Sequence, residues 1–85
     1  MGTYKLIKTS NTMLHIGELI KEKMKEQHKS VVWLAKQLSC SRNNVYKILN
    51  KYSLDTELLV KISILLDFDF LSVYMEDMKR RKEKQ

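Results

Sequence analysis

The sequence predicts an all-α fold, a compact bundle of five helices, and three observations predict it. The chain has no Pro and only two Gly, Gly2 and Gly17, so it lacks the turn residues that strands and tight hairpins draw on. Its apolar residues recur at three- and four-residue steps, the spacing of one helix face. Ser or Asp stands just before several of these periodic runs, where its side-chain oxygen can accept from first-turn N–H groups. Eighty-five residues, 44% of them hydrophobic, suffice for one small domain with a core.

The elements follow in order. Residues 1–12 are polar, and "TYKLIK" alternates weakly, so they read as an N-terminal arm, a short strand or a frayed end. The domain proper spans 13–78. A first helix is expected from His15 to Gln27, with Ile16, Leu19, Ile20 and Met24 inward and Asn11 or Thr12 as cap. Glu18, Glu22 and Glu26 repel at four-residue spacing, and Lys21, Lys23 and Lys25 interleave to offset them. Ser30 caps a second helix, Val31–Leu38, with Val31, Leu34, Ala35 and Leu38 inward. Ser39, Cys40 and Ser41 break the pattern. Ser41 caps a third helix from Arg42 to about Asn50, with Val45, Ile48 and Leu49 inward. Asp55 caps a fourth to about Leu66, facing Leu58, Leu59, Ile62, Leu65 and Leu66 inward. Asp67 or Asp69 starts a fifth, with Phe70, Leu71, Tyr74 and Met78 inward. Residues 79–85, "KRRKEKQ", form a basic C-terminal tail.

Charge is unevenly placed. The net charge is +6, which favours a polyanionic partner. No Asp or Glu occurs between Gln27 and Leu54, whereas Lys29, Lys36, Arg42, Lys47 and Lys51 do. Residues 55–77 are acidic apart from Lys61. Such one-sidedness is what an electrostatic docking face requires. Cys40 is alone, which points to a reducing compartment. No apolar run reaches the ~20 residues of a membrane span, and no apolar h-region follows Lys5 and Lys8. A cytoplasmic, nucleoid-associated location is the expectation, without membrane contact.

Two short helices with a three-residue break between them have the pattern of a helix-turn-helix, here helices 2 and 3. Ala35 is small enough for two helices to cross closely, and Cys40 can fill the turn. With these, Leu34, Leu38, Val45 and Ile48 complete an apolar framework. The stretch resembles the DNA-binding helix-turn-helix of the Cro/C1-type, XRE-like phage-repressor family. In that twenty-residue motif Ala stands fifth, and apolar residues stand fourth, eighth, tenth, fifteenth and eighteenth. Counting from Val31, this chain places Ala35, then Leu34, Leu38, Cys40, Val45 and Ile48, at those positions. "LDTELLVKISILLDFDFLSVY" resembles the later helix and turn of the same family, so the likeness covers about residues 13–76. The chain departs at the ninth position, where Ser39 replaces the usual Gly and must adopt a left-handed backbone at a cost of about 1 kcal/mol. It departs also at the first, where Val31 replaces a phosphate-touching Gln and Lys29 or Ser30 is expected to substitute.

With Val45, Ile48 and Leu49 inward, Arg42, Asn43, Tyr46 and Lys47 point outward. These types suit the major groove. Arg donates two hydrogen bonds to guanine, Asn pairs bidentately with adenine, and a tyrosine can pack on a thymine methyl or reach a phosphate. The resemblance assigns base contacts to Arg42, Asn43 and Lys47, and Tyr46 joins them by position. Phosphate contacts are expected from Lys29, Ser30, Lys36, Ser41, Asn44, Lys51 and Tyr52, Ser41 and Asn44 lying at a helix N-terminus. The resemblance implies a lambda-repressor-like fold and a transcriptional regulator, foremost a repressor, that binds duplex DNA sequence-specifically. A single such unit selects an operator poorly, so a homodimer through helices 4 and 5 is expected, with Phe68, Tyr74 and Met78 as candidates. Two other roles keep the same scaffold: an antitoxin-like partner of a toxin, and a protein-interaction module without DNA. No catalytic arrangement is seen, so an enzyme is not expected. His15 and His28 have no partners at metal spacing, so no metal or cofactor is expected. Trp33 reads as core or core edge, and Cys40 as a packed turn residue.

Overall fold

The computed structural model describes residues 14–83. They form five helices: α1 (Ile16–Glu26), α2 (Val31–Leu38), α3 (Arg42–Leu49), α4 (Thr56–Leu66) and α5 (Phe70–Glu83). There is no strand among the described residues. The chain divides into two units. One, residues 15–54, contains α1, α2 and α3; the other contains α4 and α5.

In the first unit α1 and α2 both pack on α3. The predicted inward residues Ile16, Leu19, Ile20, Met24, Leu34, Ala35, Val45, Ile48 and Leu49 are all buried. Val31, Leu38 and Cys40 are only half-buried, as is Trp33. The start of α1 departs from expectation. Asn11 and Thr12 lie outside the described residues, and His15 caps the helix, its Nδ1 accepting from the Glu18 N–H at 3.1 Å. Lys23 is buried, and its ammonium reaches Glu26 Oε1 at 3.0 Å.

Serines cap the next two helices as predicted. Ser30 Oγ accepts from Trp33 N–H at 3.0 Å, and Ser41 Oγ accepts from Asn44 N–H at 3.1 Å. Between these helices Ser39 is left-handed, φ 55° and ψ 47°. The Ser39 N–H donates to Lys36 O and the Cys40 N–H to Ala35 O, at 3.2 and 2.9 Å. This pair of bonds closes the helix on its own last carbonyls. The same closure recurs after α1, where His28 is left-handed and Lys29 N–H donates to Met24 O at 2.8 Å. It recurs again after α4, where Asp67 is left-handed and Phe68 N–H donates to Ser63 O at 3.0 Å.

In the second unit Asp55 caps α4, accepting from Leu58 N–H at 2.8 Å. Asp69 precedes α5 and accepts from the Leu71 and Ser72 N–H groups at 3.0 and 3.1 Å. The Phe68 and Phe70 rings meet edge to face with centroids 4.8 Å apart. The core of this unit includes Leu59, Ile62, Leu66, Phe70 and Val73. Leu71 and Met78, expected inward, are instead 42% and 55% exposed, because the buried face of α5 runs through Phe70, Val73 and Asp77. The helix also continues through Lys79, Arg80, Arg81, Lys82 and Glu83, so the basic stretch is helical as far as 83.

No helix of the described residues is long and apolar enough to cross a membrane.

Candidate nucleic-acid interface

The first unit carries eight basic against three acidic residues, and the acidic ones all stand on α1. The helix dipole favours carboxylates at helix N-termini by about 0.3–1 kcal/mol. α1 and α4 use this with Glu18 and Glu57 in their first turns, and Asp55 and Asp69 cap α4 and the start of α5. α2 and α3 have no acidic residue in the first turn and a neutral serine as cap. Their positive ends are therefore left uncompensated by the chain itself.

α3 presents the candidate base-reading side chains. Val45, Ile48 and Leu49 are buried, so Arg42, Asn43, Tyr46 and Lys47 are held on the opposite side, all exposed. Tyr46 shows 53% of its surface and has no partner ring among the described residues. Arg42 with Tyr46, and Asn43 with Lys47, are one helical step apart. No ion pair ties Lys29, Lys36, Arg42, Lys47 or Lys51 to a carboxylate among the described residues.

The candidate phosphate contacts Lys29, Ser30, Lys36, Ser41, Asn44, Lys51 and Tyr52 are likewise exposed. Two qualifications follow from the geometry. Ser30 and Ser41 already accept through Oγ as helix caps, which leaves the hydroxyl O–H as the group to offer a phosphate. Lys29 Nζ lies over the Trp33 ring, 4.8 Å from its centroid, a contact that orients the ammonium and covers the half-buried indole.

Sequence reasoning missed the residues that hold this surface in place. The Ile16 N–H donates to Tyr52 O at 3.1 Å, and the Gly17 N–H donates to Lys51 O at 2.9 Å. Glu18 N–H goes to the His15 side chain, and Leu19 N–H to His15 O at 3.2 Å. All four first-turn donors of α1 are thus satisfied, two of them by the loop after α3. The approach needs Gly17: a Cβ there would stand 2.2 Å from Leu49 O and 2.9 Å from Lys51 O. The His15 ring lies 4.2 Å from that of Tyr52. With their backbones docked on α1, Lys51 and Tyr52 present their side chains outward. One signal did mark Gly17: it is a lone glycine inside a helical pattern, which usually has a packing reason.

Among the described residues no group of three His, Cys, Asp or Glu side chains could hold a metal ion. No family model matches this chain, and no curated protein or solved structure matches it.

Proposed function

We propose that this chain binds duplex DNA in a sequence-specific manner, as a transcriptional regulator of the XRE or phage-repressor kind, acting foremost as a repressor. α2 and α3 would serve as its helix-turn-helix in a lambda-repressor-like arrangement. The observation that carries the reading is the exposed face of α3. Arg42, Asn43, Tyr46 and Lys47 stand together on a helix whose other side is fully packed, within a stretch from Gln27 to Leu54 that holds no carboxylate.

In this reading α3 enters the major groove. Arg42 donates to guanine, Asn43 pairs with adenine, Lys47 reaches a base edge one turn further on, and Tyr46 packs against a thymine methyl. Lys29, Lys36 and Lys51 neutralise phosphates, while Ser30, Ser41, Asn44 and Tyr52 set the register. The Ser41 cap and the uncompensated N-terminus of α3 favour a phosphate at that end. In this reading the chain would act by occupying its site or by touching polymerase there.

The test is selection of bound duplexes from a random pool at about 150 mM salt, which damps non-specific attraction. Enrichment of one sequence, with two-fold symmetry if a homodimer binds, supports the reading. A folded protein that enriches nothing refutes it. A second reading, an antitoxin-like protein that also binds a toxin, draws on apolar side chains exposed on α5.

A further inference from the structure

Capping α1 leaves His15 with a second, unused nitrogen. Its Nδ1 accepts from the Glu18 N–H at 3.1 Å. An imidazole nitrogen that accepts carries no proton, so the proton of the ring sits on Nε2, and Nε2–H is a donor. The cap chooses the tautomer and also holds the ring in place, with the Tyr52 ring 4.2 Å away on one side. His15 is half-buried, yet its Nε2–H meets no acceptor among the described residues and is not shut off from solvent.

Two more donors stand beside it. Lys51 and Tyr52 are exposed, and neither the ammonium nor the phenol is engaged in an ion pair or hydrogen bond among the described residues. Their backbone carbonyls accept from the Gly17 and Ile16 N–H groups at 2.9 and 3.1 Å, which fixes the loop against the start of α1. The first-turn N–H groups of α1 are all used internally. This helix end therefore offers an anion its positive field and no free N–H. The first carboxylate along α1, that of Glu18, pairs with Lys21 at 3.7 Å. The corner thus gathers three side-chain donors, one of them a cation.

We propose that His15 is a further DNA contact, its Nε2–H donating to a phosphate oxygen of the duplex beside the phosphate contacts of Lys51 and Tyr52. The assignment rests on the DNA-binding reading and adds to it a residue outside the helix-turn-helix. Phosphate suits the corner better than a base edge does. It presents several acceptor oxygens to clustered donors, and the base-reading side chains stand on a different element, α3. The contact is neutral. It sets where the loop sits along the DNA backbone and releases no counterion of its own.

The experiment compares the unaltered chain with one carrying Nε2-methylhistidine at position 15. Both are titrated with the duplex recovered by selection and with mixed-sequence duplex. Methylation keeps Nδ1 as the cap and the ring beside Tyr52, and removes only the donor. Affinity should fall at least about threefold, the worth of one neutral hydrogen bond, by the same factor on both duplexes. The slope of log affinity against log salt should stay unchanged, unlike that of Lys51→Ala. His15→Ser keeps a capping oxygen but ends short of the far edge of the ring, and should lose about three- to tenfold. Without DNA, the thermal melt and the amide exchange of Gly17 should be the same in the methylated and unaltered chains. Equal affinity of those two chains overturns the proposal. A loss confined to the selected duplex also overturns it, since His15 would then touch a base. So does a loss accompanied by faster Gly17 exchange, since His15 would then only hold the loop. In each of these cases the unaltered chain still selects its site, and the DNA-binding reading stands. If the unaltered chain selects nothing, that reading fails, and this contact fails with it.

Discussion

Arg42 and Lys51 are both exposed cations, yet they should fail differently when removed. Arg42 lies on the outward face of α3, where a guanidinium can read guanine. Arg42→Ala should cost about 1–3 kcal/mol on the preferred sequence and relax selectivity at one base position. The check is a binding series against single-base variants of the selected site, and an equal loss on every sequence would reduce Arg42 to a phosphate contact. Lys51 lies in the loop anchored by α1, where the role proposed for it is a phosphate contact. Lys51→Ala should weaken all sequences alike and lower the slope of log affinity against log salt by about one. Titration at four or five salt concentrations measures this directly.

At the scale of elements, turn geometry and close packing make opposite demands on glycine. The chain ends α1, α2 and α4 on left-handed His28, Ser39 and Asp67, positions where glycine would be unstrained. Ser39→Gly should therefore raise stability by about 0.5–1 kcal/mol, relief of the left-handed strain exceeding the entropy lost. A lower melting temperature would assign Ser39 a side-chain role. Gly17→Ala should do the reverse. An ordinary helix gains up to about 1 kcal/mol from that change, but here the methyl meets Leu49 and Lys51 carbonyls, and overpacking costs about 1–3 kcal/mol. Thermal melts of the two variants, with DNA affinity for Gly17→Ala, decide both. In α5 the Tyr74 hydroxyl is held above its ordinary value of 10.0, first by burial, then by Asp77, with Arg81 opposing. Folding then favours the neutral phenol, so the stability it contributes is present below the unfolded value and is lost as pH rises through the folded one. Tyr74→Phe should flatten the fall in stability above about pH 10, which denaturant melts between pH 8 and pH 11 would show.

The same scale shows what was legible in the sequence. The boundaries of α2 and α4 and the serine and aspartate caps could be read off directly, because capping chemistry and apolar period agree there. Ser39 was legible as left-handed only because the resemblance marked that position; His28 and Asp67 carried no such mark and no glycine. The inward face of α5 was misread at Leu71 and Met78, since a helix with apolar residues on two sides does not announce which side is packed. Phe70 and Val73, both fully buried, mark the inner face, and Asp77 extends it as a buried carboxylate paired with Arg80 and Arg81, a polar residue that hydrophobic period ignores. The outward placement of Arg42, Asn43, Tyr46 and Lys47 was legible from the buried stripe of α3. The docking of Lys51 and Tyr52 on α1 was not, because it runs through backbone carbonyls that no side-chain pattern encodes.

For the whole molecule, charge is partitioned between its two units. Residues 15–54 carry a net +5 and residues 55–83 a net −2. A polyanion would be drawn to the first and repelled by the acidic parts of the second. The three candidate phosphate lysines, Lys29, Lys36 and Lys51, should together give a salt slope of about −3 on mixed-sequence duplex. A flat salt dependence would show that the basic unit faces some other partner.

The docking of the α3 loop on α1 also provides a built-in reporter. First-turn amides of a helix ordinarily face water and exchange their hydrogens quickly. Those of Ile16 and Gly17 are tied to the carbonyls of Tyr52 and Lys51, so they exchange only when the loop lets go. Two amide signals, more than thirty positions away in sequence, therefore clock the opening of the segment that would grip a phosphate. Their slowing on adding DNA would time that grip without a label on the interface itself.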